Sequence, residues 1–202
     1  MKSRLFLLLL FVLTPLLLPA LPYSAPSPAD LSGSFRRENA FHTDLYLNGI
    51  WEIAPTLKTA ENCPADREFH PVPVPSSWMF SADFPIASPD FVRGRWSGES
   101  TYRGIPLQKY ESAWYRRKFI APKVGPGEAL MLAVDRVSVC GSVWLNGEKL
   151  GDCMERSPGL WDITSRVRPG KENLLLIRVD AAPGVREKMY MGAEMTATVE
   201  QK

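Results

Sequence analysis

Arg93, Arg95, Trp96, Glu99 and Tyr102 stand within one short stretch of the chain. An indole and a phenol offer flat apolar faces, and two guanidinium groups and a carboxylate offer fixed hydrogen bonds around them. Such a set suits the holding of a polar ligand with apolar patches rather than the breaking of a bond. The stretch belongs to a long irregular connection, residues 81–111, which also carries Phe84, Phe91, Arg103 and Tyr110. A connection of that length is functional or mobile. The alternative for Trp96 and Tyr102 is packing, two rings that fasten the loop to the body of the protein.

Bond-breaking chemistry finds no residues to carry it. His42 and His70 are the only histidines and lack metal-ligand spacing, so each reads as a lone surface histidine and no metal is expected. The chain holds no G-x-S-x-G elbow, P-loop or G-x-G-x-x-G. The carboxylates are scattered. No catalytic residue and no cofactor is assigned.

The first residues read as a leader. Lys2 and Arg4 precede an apolar run from Leu5 to Leu18, followed by small and turn residues ending near Ala20 or Ala25. The run is broken by Thr14 and Pro15, which argues against a membrane span, although an uncleaved anchor is the alternative. Residues 1–25 are therefore expected to direct secretion or periplasmic export. Without Lys2 and Arg4 the 24 basic residues fall to 22, equal to the 22 acidic ones. A neutral mature chain predicts neither nucleic acid nor, once the leader is gone, a membrane as partner.

The elements that must position the candidate residues are strands. Eighteen prolines and a 10% aromatic share suit β structure, and no amphipathic pattern of helical length follows the leader. Residues 26–44 read as a polar arm and 45–200 as the folded domain. "LYLNGIWEIAP" reads as one strand ended by Pro55, and "HPVPVP" as extended chain. "SAWYRRKFIAP", "ALMLAVDRV", "VCGSVWLNGEKLGDC", "GLWDIT", "NLLLIRVD" and "MTATVEQK" complete about eight strands. The fold class is all-β, a jelly-roll β-sandwich.

In the hairpin, Asn146-Gly147 occupies a two-residue turn. Counting outward pairs Leu145 with Glu148, Val143 with Leu150 and Cys140 with Cys153. The last is a non-hydrogen-bonded pair, with Cα atoms about 4.5 Å apart, inside the span of about 4.4–6.8 Å that a disulfide tolerates. A Cys140–Cys153 bridge is expected. A bulge near Gly151 would spoil the count and leave two separate thiols. Cys63 is left over.

"VPSSW", "AWYRRKFIAP", "VSVCGSVWLNGEKLG" and "LWDITSRVRPGKENLLLIRV" occur in this order. Together, over about residues 45–180, they resemble the N-terminal sugar-binding domain of family 2 glycoside hydrolases, the β-galactosidases, β-glucuronidases and β-mannosidases. The resemblance implies a galactose-binding-like jelly roll and a carbohydrate partner. In that family two glutamates on a separate barrel do the chemistry, and a barrel of about 250 residues has no room here. Two sugar contacts that this domain makes in some β-galactosidases do not carry over: Ala87, Ser88 or Pro89 stands in the asparagine's place and Gly184 in the acid's. Three functions follow as expectations. The first is an exported, non-catalytic carbohydrate-binding domain using the set around Trp96. The second is a part of a split or truncated hydrolase, partnered by separate catalytic domains. The third is a protein-interaction module.

Overall fold

The computed structural model describes residues 36–38, 43–58, 61–75, 90–92, 94, 100–137, 140–154, 157–180 and 196–201. Among these, two single-turn 3-10 segments, Asp66–Glu68 and Leu107–Lys109, interrupt fourteen strands. The leader lies outside the described residues.

Two antiparallel sheets make the sandwich. One has five strands in the order β1 (Arg36–Glu38), β2 (Thr43–Tyr46), β14 (Thr196–Gln201), β9 (Leu130–Arg136) and β12 (Gly159–Asp162). The other has six: β11 (Glu148–Met154), β10 (Cys140–Leu145), β13 (Glu172–Asp180), β8 (Ser112–Ile120), β3 (Gly49–Thr56) and β4 (His70–Val74). A third, small sheet joins β5 (Phe91–Val92), β6 (Thr101–Tyr102) and β7 (Ile105–Pro106). The all-β jelly-roll class is as expected. The count of about eight strands is exceeded, because the sequence pattern does not show two- to four-residue strands.

Period-two alternation builds the core. In β13, Leu175, Ile177 and Val179 are fully buried, as their spacing predicts. They meet Val143 and Leu145 of β10, Tyr115 and Phe119 of β8, and Leu130, Leu132 and Val134 of β9 in one cluster. Arg117 shares the inward face of β8 and is 4% exposed; its guanidinium reaches the backbone carbonyl of Ile50. At about 25 cal/mol per Å² of apolar surface, each fully buried Leu, Ile or Phe of this cluster contributes roughly 1.5–3 kcal/mol.

Three expectations are corrected. "LYLNGIWEIAP" is two strands in two sheets: β2 ends at Tyr46 and β3 starts at Gly49, whose φ of 125° turns the chain. The Trp51 indole donates to the Leu47 carbonyl at 2.7 Å and fixes that turn. Pro55 does not end the strand; it pairs with Ala113 past the last residue of β3 that pairs with β4, where the strand has one neighbour and proline is tolerated. The five-stranded sheet also takes up β1, and Thr43 and Asp44 of β2, from the stretch read as an arm. Pro71 and Pro73 sit in β4, an edge strand, as the proline rule requires.

The expected disulfide is the fourth correction. Leu145 pairs with Glu148 and Trp144 with Lys149 as counted, but Val143 pairs with Gly151, so Leu150 is an extra residue in β11. This bulge shifts the register by one, sets Cys140 against Met154 and Cys153 against Gly141, and turns the two thiols to opposite faces. Cys153 is buried, Cys140 half-buried and Cys63 exposed, all as free thiols.

Candidate functional site

Of the five residues first singled out, Arg93, Arg95, Trp96 and Glu99 lie outside the described residues, and Tyr102 is in β6. The frame that presents the others is well defined. Phe91 pairs with Tyr102 and Val92 with Thr101, so residues 93–100 form the connection between β5 and β6. Its ends are tied by bonds from Gly94 N to Ser100 Oγ at 3.2 Å and from Leu107 N to Ser100 O at 3.0 Å. Arg103 and Gly104, at φ 51° and 74°, make a left-handed two-residue turn that folds β7 back on β6. Part of the connection read as irregular is therefore a small sheet.

Aromatic packing fastens this sheet to the sandwich. Tyr102 is 2% exposed; its ring stacks on Phe91 at 4.5 Å between centroids and meets His70 and Tyr110 at 5.4 and 5.6 Å. Its hydroxyl hydrogen-bonds His70 Nε2 at 3.2 Å, and Tyr110 Oη donates to the Tyr102 carbonyl at 2.9 Å. Burial pushes the Tyr102 phenol up to about 12. Tyr102 thus takes the packing role, with its ring covered by neighbours.

An ionic clasp closes the rim. Arg103 donates from Nε to Asp90 at 3.0 Å and from Nη1 to Glu68, and its guanidinium lies 5.0 Å from the Tyr102 ring centroid. His70 Nε2 is 3.4 Å from the Asp90 carboxylate. Burial lowers the His70 pKa despite that neighbour. His70 is therefore not the lone surface histidine its sequence suggested: its side chain is 13% exposed and caged by Phe91, Tyr102 and Asp90. Its alternation with Val72 and Val74 in "HPVPV" was the available signal. His42 lies outside the described residues. The groups of the clasp are committed to one another, so it fastens the flanks of β5 and β6 to β4 and the segment before it.

A second cluster occupies the outward face of the six-stranded sheet. One row across the strands is Asp152, Ser142, Arg178, Trp114 and Ala54; the next is Lys149, Trp144, Leu176, Arg116 and Glu52. Trp114 and Trp144 lie 4.9 Å apart, and the Arg178 guanidinium is 5.8 and 5.9 Å from their rings. Arg116 is held by Glu52 at 2.7 and 3.2 Å and by Asp66 at 2.5 Å, and it covers Phe69 at 4.1 Å. Arg178 pairs with Asp180, and Lys149 with Asp152. Cation and carboxylate alternate, so the face carries no field of one sign. Among the described residues, no three His, Cys, Asp or Glu side chains are grouped to hold a metal ion.

The family's asparagine and acid positions, Ala87, Ser88, Pro89 and Gly184, are outside the described residues.

No protein-family model matches the chain. In sequence it is 25% identical over 152 residues to the β-galactosidase BoGH2A of Bacteroides ovatus, covering 72% of this chain and 16% of that protein. In fold it matches the β-glucuronidase of Faecalibacterium prausnitzii with a TM-score of 0.58 at 19% identity, over 83% of this chain and 33% of that one. The β-glucuronidases of Ruminococcus gnavus (TM-score 0.57, 17% identity, 30% of that chain) and Dictyoglomus thermophilum (0.57, 17%, 29%) match over the same 83% of this chain. The chain thus spans about a sixth of the curated relative and about a third of these structures. In sequence and in fold, it resembles the sugar-binding domain of family 2 glycoside hydrolases.

Proposed function

We propose that the chain is a carbohydrate-binding domain of the family 2 glycoside hydrolase type, exported by its leader, that recognises a glycan and leaves bond cleavage to other domains. The observation that carries this reading is the agreement of two likenesses, to a β-galactosidase in sequence and to β-glucuronidases in fold. The fastened β5–β6 frame adds to it, because binding residues belong on loops held by a rigid scaffold. In this reading Arg93, Arg95, Trp96 and Glu99 contact the sugar, and Tyr102 holds their loop in place. Cleavage with retention requires two carboxylates about 5–5.5 Å apart, whereas the clasp carboxylates Glu68 and Asp90 both serve Arg103.

Calorimetry against a panel of β-galactosides, β-glucuronides and β-mannosides tests the reading. Saturable binding to one class is expected, weakened at least about tenfold by Trp96→Ala, since an aromatic anchor typically contributes more than about 1.4 kcal/mol. Binding to none of them sinks the proposal. Hydrolysis of a chromogenic glycoside by this chain alone would overturn its non-catalytic part. Export is checked by the N-terminus of the secreted protein, expected to follow Ala20 or Ala25.

A further inference from the structure

We propose that Asn146-Gly147 is a self-modification site held inert by the fold: it deamidates in the unfolded chain and is protected in the native hairpin. The chemistry needs only water. The Gly147 backbone nitrogen, its proton lost to solvent base, attacks Asn146 Cγ. The bond from Cγ to the side-chain nitrogen breaks, and the nitrogen leaves with that proton as ammonia. The resulting five-membered imide takes up one water at either carbonyl and opens to aspartate or isoaspartate. Glycine is the most permissive following residue because no Cβ crowds its nitrogen.

The native turn opposes each movement this requires. Asn146 and Gly147 sit at φ 53° and 90°, the left-handed pair of a two-residue hairpin turn. The Asn146 amide is fully engaged: Nδ2 donates to the Arg166 carbonyl at 3.0 Å and to Asn173 Oδ1 at 2.8 Å, and Oδ1 accepts from Leu174 N at 3.1 Å. The Asn146 backbone N–H donates to the Leu174 carbonyl at 2.9 Å. Asn173 is itself fully buried and immobilised. Its Oδ1 accepts from Arg168 N at 2.8 Å, and its Nδ2 donates to the carbonyls of Arg168 at 3.1 Å and Lys171 at 2.8 Å. Turning Cγ toward the Gly147 nitrogen breaks three side-chain bonds. At a factor of roughly five each, they slow the reaction by about a hundredfold.

The product does not fit the site. An aspartate there presents an acceptor oxygen to two acceptors, the Arg166 carbonyl and Asn173 Oδ1. An isoaspartate lengthens the backbone of a turn whose register depends on two residues. Modification during an opening of the hairpin therefore weakens the hairpin that re-forms, and the pair records unfolding.

The test incubates the full chain at mildly alkaline pH in native buffer and in denaturing urea, with peptide mapping over time. Asn48-Gly49 is the second Asn-Gly pair in the chain, and mapping separates it from Asn146. Conversion at Asn146 is expected to be about a hundredfold slower in native buffer, the three-bond factor. Equal rates in the two states, or no conversion in urea, would overturn the proposal. Asn173→Ala, in a protein still folded by circular dichroism, should move the native rate toward the unfolded one; an unchanged rate counts against the lock. Asn146→Asp should lower the melting temperature by about 5 °C, and an unchanged melting temperature likewise denies it.

Discussion

At the scale of single residues, His70 shows how burial competes with charge. Its ring is packed edge-on to Phe91 and Tyr102, and the charged groups that bear on it are Asp90, Arg103, Glu68 and Glu52. Desolvation outweighs the attraction of Asp90 and lowers its pKa from 6.5. The folded state therefore holds its proton less tightly than the unfolded chain does. This contribution to stability is fully present above pH 6.5 and is lost as pH falls through the depressed folded value. Urea denaturation of the wild type is expected to show stability declining across that window, and His70→Gln should flatten the decline. Parallel profiles for the two proteins would mean that His70 keeps an ordinary pKa. The thiols give a second residue-scale prediction. Desolvation raises all three, Cys153 to about 11, and it is partial at Cys63, the exposed one. Without reductant, timed alkylation followed by mass spectrometry should label three thiols, with Cys63 first and Cys153 last. A chain that takes up one label only would restore the bridge.

At the scale of elements, the β10–β11 hairpin shows where sequence counting succeeds and where it stops. The turn and its first two pairs follow from Asn-Gly alone, because the two-residue loop fixes register. The bulge at Leu150 does not follow, and the residue after it, Gly151, lies against Trp161 on another strand and in the other sheet. A Cβ on Gly151 would come within 2.7 Å of that indole, and one on Gly159 within 1.9 Å. Gly151 and Gly159, on strands of different sheets, thus make room for one ring, a contact that counting along the hairpin does not express. Gly159→Ala should therefore destabilise the protein by about 1–3 kcal/mol through overpacking, and Trp161→Phe in the same chain should recover part of it. A Gly159→Ala variant with an unchanged urea midpoint would show that the ring has free space. The same limit explains "LYLNGIWEIAP", where hydrophobic alternation runs on through Leu47 while the chain changes sheet at Asn48-Gly49. The frame around the candidate site was legible to a similar depth. Clustering of Arg and aromatic residues marked the 93–102 region, but the partners that anchor it, Glu68 and His70, lie some twenty to thirty-five positions earlier in the sequence.

At the scale of the molecule, the two halves of the sandwich close in different ways. The six-stranded sheet is built from strands between Gly49 and Asp180. The five-stranded sheet depends on the far ends of the described chain, for β14 lies between β2 and β9. It pairs from Thr198 to Gln201 with β2 and from Thr196 to Gln201 with β9. The sequence marked 195–202 as a strand but could not show that it is central, since a local strand pattern does not say which strands will lie beside it. Removing it would cut the sheet into two separate pairs, β1–β2 and β9–β12, strip β2 and β9 of one ladder each, and uncover the Leu45, Leu132 and Val134 side of the core. A chain ended after Met195 is thus expected to lose cooperative unfolding altogether, as read by circular dichroism against urea. Removing residues 1–39 takes away, among the described residues, only β1, which pairs with β2 at the sheet's edge, and should leave a single cooperative transition at a slightly lower midpoint. If both truncations behaved alike, the interleaving of the two chain ends would be wrong, and with it the closure of the five-stranded sheet.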